Sequence, residues 1–203
     1  LHLHTEYSLV DGIVRIKPLV SSAKAAGMTA VAMTDHCNLF GMVKFYKAAI
    51  AGGIKPIIGA EILIENSANK VIPFRLVLLC QNKEGYGNLT RLISKAYLEG
   101  QTNGAPLIQR EWLKGSTAGL IALSAGKSGD IGQALLGGNP ELARTLAQEW
   151  STLFPARFYL ELIRTGRPEE EKLVQLTLRL AEELALPVVA TNDVRFLEAD
   201  EFE

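Results

Sequence analysis

His2 and His4 stand two residues apart at the head of the chain, and on an extended segment that spacing turns both imidazoles to one side. Two neutral imidazoles on one face suit a single metal ion. The third histidine of the chain, His36, follows Asp35 at the end of a short apolar run over 29–34. Glu61 lies inside a second apolar run, over 54–64. An unpaired carboxylate there is costly, so Glu61 calls for a cation or for hydrogen-bond donors. Asp193 follows a third run, over 187–191. Imidazole and carboxylate together form a ligand set for zinc, manganese or iron, and metals held this way activate water against phosphate esters. Each residue alone has a plain structural role open to it: Asp35 or Asp193 as a helix N-cap, His36 as a hydrogen-bonded polar group, Glu61 as the partner of an arginine, the His pair as a polar strand end. One shared site accounts for all of them at once.

The elements that must bring them together alternate along the chain. A helix over 13–26 carries Leu19, Val20, Ala23 and Ala26 on one face, with Pro18 near its first turn and Gly27 as its cap. A strand over 29–34 leads into a helix over 39–51, and the strand over 54–64 repeats the pattern. After a turn at 65–70 come a strand over 74–79, whose start is interrupted by Arg75, and a helix over 86–99. A loop is expected over 100–106, then a strand over 119–124 and the turn 125–130. That turn holds Lys127 and Ser128, but it lacks the glycine spacing of a phosphate loop. Helices follow over 131–136 and 140–153, with a strand over 157–163 carrying Glu161. A long helix over 168–184 has Pro168 at its first position and Glu169, Glu170 and Glu171 as a solvated, dipole-compensating start. Strand–helix alternation of this kind predicts an α/β domain with a mainly parallel sheet. Polar groups gathered at several strand ends favour a barrel mouth over an open doubly wound sheet.

With 203 residues, 48% of them hydrophobic, the chain can bury a sizeable core as one large domain or a fragment of one. A formal net charge of −1 argues against capture of nucleic acid by the whole surface. Cys37 and Cys80 make no disulfide framework and no paired metal motif, which fits a reducing compartment. No apolar run is long enough to span a bilayer, so a cytoplasmic location and no membrane partner are expected. The chain begins on a motif without Met and ends at Glu201-Phe202-Glu203 with no helix stop, so it reads as a piece of something longer.

Several motifs carry a resemblance. The opening stretch from His2 to Gly12, Thr34-Asp35-His36, Gly59-Ala60-Glu61 and Ala190-Thr191-Asn192-Asp193-Val194 are similar to motifs of the PHP (polymerase and histidinol phosphatase) family. More narrowly they resemble its branch at the N-terminus of bacterial replicative DNA polymerases. Gly41-Met42-Val43-Lys44-Phe45-Tyr46 and Phe158-Tyr159-Leu160-Glu161-Leu162 extend the match over the chain. The resemblance implies a distorted (β/α)7 barrel of the PHP type, with one PHP domain over 1–203, truncated at its C-terminal end. It also implies nine metal ligands in the complete family pattern, of which His2, His4, Asp11, His36, Glu61 and Asp193 are present here. Arg75, Gly126 and Arg195 stand at the other three positions. By the family's sharing of ligands, His2, His4, Glu61 and Asp193 form an intact first site for one divalent metal, zinc or manganese. The second site, built on Glu61 with the positions of Arg75 and Gly126, is lost; the third keeps Asp11 and His36 but loses its ligand at Arg195. Arginines partly replace metals, because guanidinium pairs with carboxylates and cannot ligate. The expected role is a catalytically decayed scaffold domain that docks a proofreading exonuclease subunit and other replicase subunits. No catalytic residue is expected in this fragment, and DNA is met by the rest of the parent polymerase. The competing role is an active metal-dependent phosphoesterase or 3'-5' exonuclease.

Overall fold

A computed structural model of the chain describes residues 1–9, 11–66, 72–198 and 201. Val10 of the opening motif, residues 67–70 of the turn expected over 65–70, and the final Phe202 and Glu203 lie outside them.

The first helix, α1 (Ile16–Ala25), buries Ile16, Leu19, Val20 and Ala23, a spacing that puts them on one helical face. It ends where Gly27 takes a positive φ of 69°. β1 (Ala30–Met33) and α2 (Met42–Gly52) follow, then β2 (Lys55–Ile64), whose last six residues are all buried. β3 (Phe74–Cys80) leads to α3 (Lys83–Glu99). The carboxamide of Asn82 caps α3 by accepting from Gly85 N. Gly85 is required there, because a Cβ would stand 1.8 Å from the Gly119 carbonyl oxygen. The expected loop over 100–106 is a small antiparallel hairpin, β4 (Gln101–Thr102) and β5 (Ala105–Ile108), followed by the short α4 (Arg110–Leu113). The rest of the chain supplies β6 (Leu120–Leu123), α5 (Asp130–Leu136), α6 (Pro140–Leu153), β7 (Phe158–Ile163), α7 (Glu170–Leu184) and β8 (Val188–Thr191).

Among the described residues eight strands form one mixed sheet in the order β4-β5-β2-β3-β6-β7-β8, with β1 also on β2, and this ladder does not close into a barrel. The mainly parallel expectation is corrected at β3, which runs antiparallel to both β2 and β6. A parallel return needs a crossover of a dozen or more residues, and only nine separate β2 from β3. The reversal matters for the site. It brings the start of β3, with Arg75 opposite Leu63, to the end of the sheet where β2 finishes. The N-terminal segment joins through isolated bridges: His4 N donates to Val194 O, Val194 N to His2 O, and Thr34 N to Leu3 O. Leu3 therefore lies between the end of β1 and the residues after β8, and its flanking histidines share one side.

The largest apolar cluster packs α3, α5, α6 and α7 on the sheet around Trp150, Phe154 and Phe158. A second joins α1 and α2 to Leu3, Met33 and Phe45. A third gathers Ala32, Val77, Leu79, Leu123 and Ala125 with Ile57, Tyr159 and Val189, side chains from β1, β2, β3, β6, β7 and β8. At α7 two details differ from the expectation. Pro168 precedes the helix instead of opening it, and Glu170 is buried, not solvated. Its carboxylate accepts from Thr165 N at 2.6 Å, Thr165 Oγ1 at 2.7 Å and Arg167 N at 3.2 Å, which ties the incoming loop to the helix start.

Candidate metal centre

Glu61 is the hub. It sits in the buried part of β2, 1% exposed, and its two oxygens divide the surrounding cations. Oε1 lies 2.9 Å from His36 Nδ1 and accepts from the Arg75 guanidinium at 2.9 Å, while Oε2 lies 3.2 Å from His2 Nε2. His4, fully buried, places Nε2 3.7 Å from Glu61 Oε1 and Nδ1 2.9 Å from Asp11 Oδ1. Asp193 Oδ1 lies 3.7 Å from His2 Nε2. Positive φ at Asp193, 45°, turns the chain just beyond β8 so that this carboxylate faces the N-terminal segment.

The six residues expected to share a site are thus brought together. Two compact groupings, each with one ligand atom per residue within 4.8 Å, form among the described residues: His2, His4 and Asp193, and His4, Asp11 and Glu61. His36 touches Glu61 but belongs to neither grouping. Asp35 is pinned elsewhere. Its carboxylate accepts from Thr5 N at 2.6 Å and Thr5 Oγ1 at 2.8 Å, and burial pushes its pKa up. Gly126 offers no donor; its positive φ strains any side chain there, and Ile163, whose Cδ1 lies 2.7 Å from where a Cβ would stand, would have to shift.

The arginines occupy the carboxylates. Arg195 hydrogen-bonds Asp193 through Nε at 2.8 Å and through a terminal nitrogen bonds Asp11, so one guanidinium spans the two acids. Arg167, outside the sequence-predicted set, adds a contact to Asp193 at 3.1 Å. Glu161 and Ser8 were also outside it. Ser8 Oγ donates to Asp11 at 2.8 Å, and Glu161, 2% exposed in β7, lies 3.0 Å from His2 Nδ1. The cost of an acid inside an apolar strand, which singled out Glu61, applies equally to Glu161.

Burial alone raises carboxylates and lowers imidazoles, and here the neighbours reverse both effects. Against burial, the hydrogen bonds of His2 and His36 hold Glu61 well below the usual carboxylate range. Asp11 is lowered against burial by His4, Ser8 and Arg195, and Asp193 by His2 and Arg195. His2 is raised to about 10 by Glu161 and Glu61, again against burial, and His36 to about 10 by Cys37 and Glu61. Without metal, the pocket is a cluster of ion pairs.

A pH dependence follows. Both histidines are raised above an unfolded value of 6.5, so their contribution to stability is complete below that pH and is lost as pH climbs toward about 10. Urea unfolding in the presence of chelator is expected to show stability falling between pH 6.5 and 10. Zinc affinity is expected to rise over the same interval, because protons must leave before a ring nitrogen ligates. Profiles flat in both would contradict this assignment of charge.

His4 Nε2 is buried and has no hydrogen-bond partner among the described residues, which is the open valence a metal would fill. Together with His2 Nε2, Glu61 and Asp193 it makes a donor set that fits one divalent ion.

A family model described as PHP domain matches residues 1–165. The chain is 52% identical over 202 residues to a DNA polymerase III subunit alpha of Pseudomonas fluorescens, and 47% identical over 203 residues to that of Escherichia coli K12. All of this chain is covered in both, but only 17% and 18% of those relatives' lengths. Among solved structures, a two-domain protein of Bacteroides vulgatus, described as containing a predicted PHP-like metal-dependent phosphoesterase, aligns with a TM-score of 0.58 at 14% identity. The alignment covers 96% of this chain and 50% of that one, and shows likeness of fold.

Proposed function

The chain belongs to the PHP domain family, and on that premise we propose that it is the N-terminal PHP region of a bacterial DNA polymerase III alpha subunit, with a decayed metallo-phosphoesterase pocket kept for assembly. One observation carries the decay: Arg195 joins Asp11 to Asp193 while Arg75 binds Glu61, so guanidinium groups hold the carboxylates that additional ions would need. A single zinc or manganese ion fits His2, His4, Glu61 and Asp193, and a full three-metal centre lacks donors at Arg75, Gly126 and Arg195. When bound, such an ion supplies Lewis-acid polarisation of a phosphoryl oxygen or water. The chain's own residues otherwise neutralise one another: Arg75 and Arg195 are tethered counter-ions that brace β2, β3 and the segment after β8 without the ligand exchange that turnover requires.

The parent protein is a DNA-directed DNA polymerase acting in replication in the cytoplasm, with its nucleotidyl-transfer residues and its DNA contacts outside this chain. Among the described residues no helix is long and apolar enough to cross a membrane. The domain's partners are a proofreading exonuclease subunit and other replicase subunits. A distorted seven-stranded barrel is the architecture proposed, with the Leu3 segment as the stave between β1 and β8. It is supported by the inner cluster to which six strands contribute.

The test has two arms. Full-length protein assayed on a model phosphate ester with zinc or manganese is expected to show no turnover, and pull-down with the exonuclease subunit is expected to retain it. Turnover abolished by His4→Ala would reverse the ranking in favour of an active phosphoesterase or 3'-5' exonuclease, the second reading, which the intact first site favours. Failure of the full-length chain to bind the exonuclease removes the docking role.

A further inference from the structure

Glu161 sits where three neighbouring strands and the N-terminal segment meet. Its backbone N–H donates to Ser124 Oγ, just beyond β6, at 2.9 Å. Its Oε1 accepts from Thr191 Oγ1 on β8 at 2.5 Å and lies 3.0 Å from His2 Nδ1. The other ring nitrogen of His2 faces Glu61 at 3.2 Å and Asp193 at 3.7 Å. The imidazole is therefore strung between a carboxylate outside the metal-binding set and two carboxylates within it.

We propose that Glu161 is the positioning residue of the metal centre. It keeps a proton on His2 Nδ1, which reserves Nε2 for the ion, and Thr191 holds Glu161 in place. This rests on the one-metal site proposed above. A carboxylate on the far nitrogen of a ligating histidine fixes the ring's orientation and tautomer and strengthens its donation. A tie between strands alone does not require the charge. Ser124 bonds the Glu161 backbone, a neutral side chain could accept from Thr191, and a buried carboxylate carries a desolvation cost that only a cationic or strongly donating partner offsets. Among the described residues Oε2 of Glu161 is buried without a partner, and His2 and Thr191 are the side chains that meet the other oxygen.

The experiment uses full-length protein, with zinc affinity measured by competition against a chromophoric chelator at a temperature where every variant is folded. Glu161→Gln retains an acceptor and loses the charge, and is expected to weaken binding about 10-fold; Glu161→Leu removes both and is expected to weaken it about 100-fold. A crystal structure of the Leu variant supplies a readout that a mere strand tie would not move: the His2 ring is expected to turn away from its present orientation. Wild-type affinity in the Leu variant, or a loss that vanishes when affinities are compared at equal folded fraction, overturns the proposal. If the wild type itself takes up no zinc, the one-metal site falls, and the ring orientation alone decides for Glu161: a ring unmoved in the Leu variant overturns its positioning role.

Discussion

Glu61→Ala is expected to destabilise the metal-free chain by about 3–5 kcal/mol, the range for removing one partner of a buried ion pair. The carboxylate is almost completely buried and serves His2, His36 and Arg75 together. Its loss leaves two imidazoles, both raised in the intact protein partly by Glu61, and one guanidinium without their shared counter-ion. The imidazoles can shed protons and recover part of the loss; Arg75 cannot. Glu61→Gln keeps the acceptor shape and is expected to cost less than alanine but to retain the same sign. Urea unfolding with chelator present measures both. A change below about 1 kcal/mol for alanine would mean that the ion pairs are screened or remade, and the pocket would not be the charge-compensated cluster described.

The second large effect concerns metal stoichiometry. Arg75→His combined with Arg195→His is expected to raise uptake from one ion per chain to two. Arg195→His frees Asp11 from its guanidinium and adds an imidazole beside it, so Asp11, His36 and residue 195 can form a site again. The remaining site stays incomplete, because Gly126 supplies no donor, and its φ of +52° strains any side chain placed there. A count of three would therefore contradict the view that this site needs a donor at position 126. An unchanged count would contradict the view that the arginines stand in for metal ions. Elemental analysis after gel filtration in zinc or manganese separates these results.

How far the sequence reveals this arrangement depends on the kind of signal. The helix over 140–153 is legible to the residue, because Asn139 caps it, Pro140 opens it and Ala143, Ala147 and Trp150 recur on one face. The apolar runs at β1, β2, β3, β6, β7 and β8 are equally visible as strands. Strand direction is not, since an apolar run reads the same in both senses, and the antiparallel β3 emerges only from pairing. The hairpin of β4 and β5 hides behind glycines and Pro106 that read as a loop. In the site, the cost of a buried acid points to Glu61 and could have pointed to Glu161 on the same grounds. Arg167 lies in a loop with no periodicity, and nothing local marks it as the partner of Asp193. Asp35 shows the converse: a polar residue at a strand end whose work is to fasten Thr5.

The most direct measurement is the anomalous scattering from crystals of the full-length protein grown with zinc or manganese. One peak bounded by His2, His4, Glu61 and Asp193, with Arg195 still joining Asp11 to Asp193, is the predicted result. Two or three peaks with the arginines displaced, or no peak at a concentration that saturates ordinary histidine–carboxylate sites, would contradict the account of a single surviving metal position in a pocket otherwise closed by arginine.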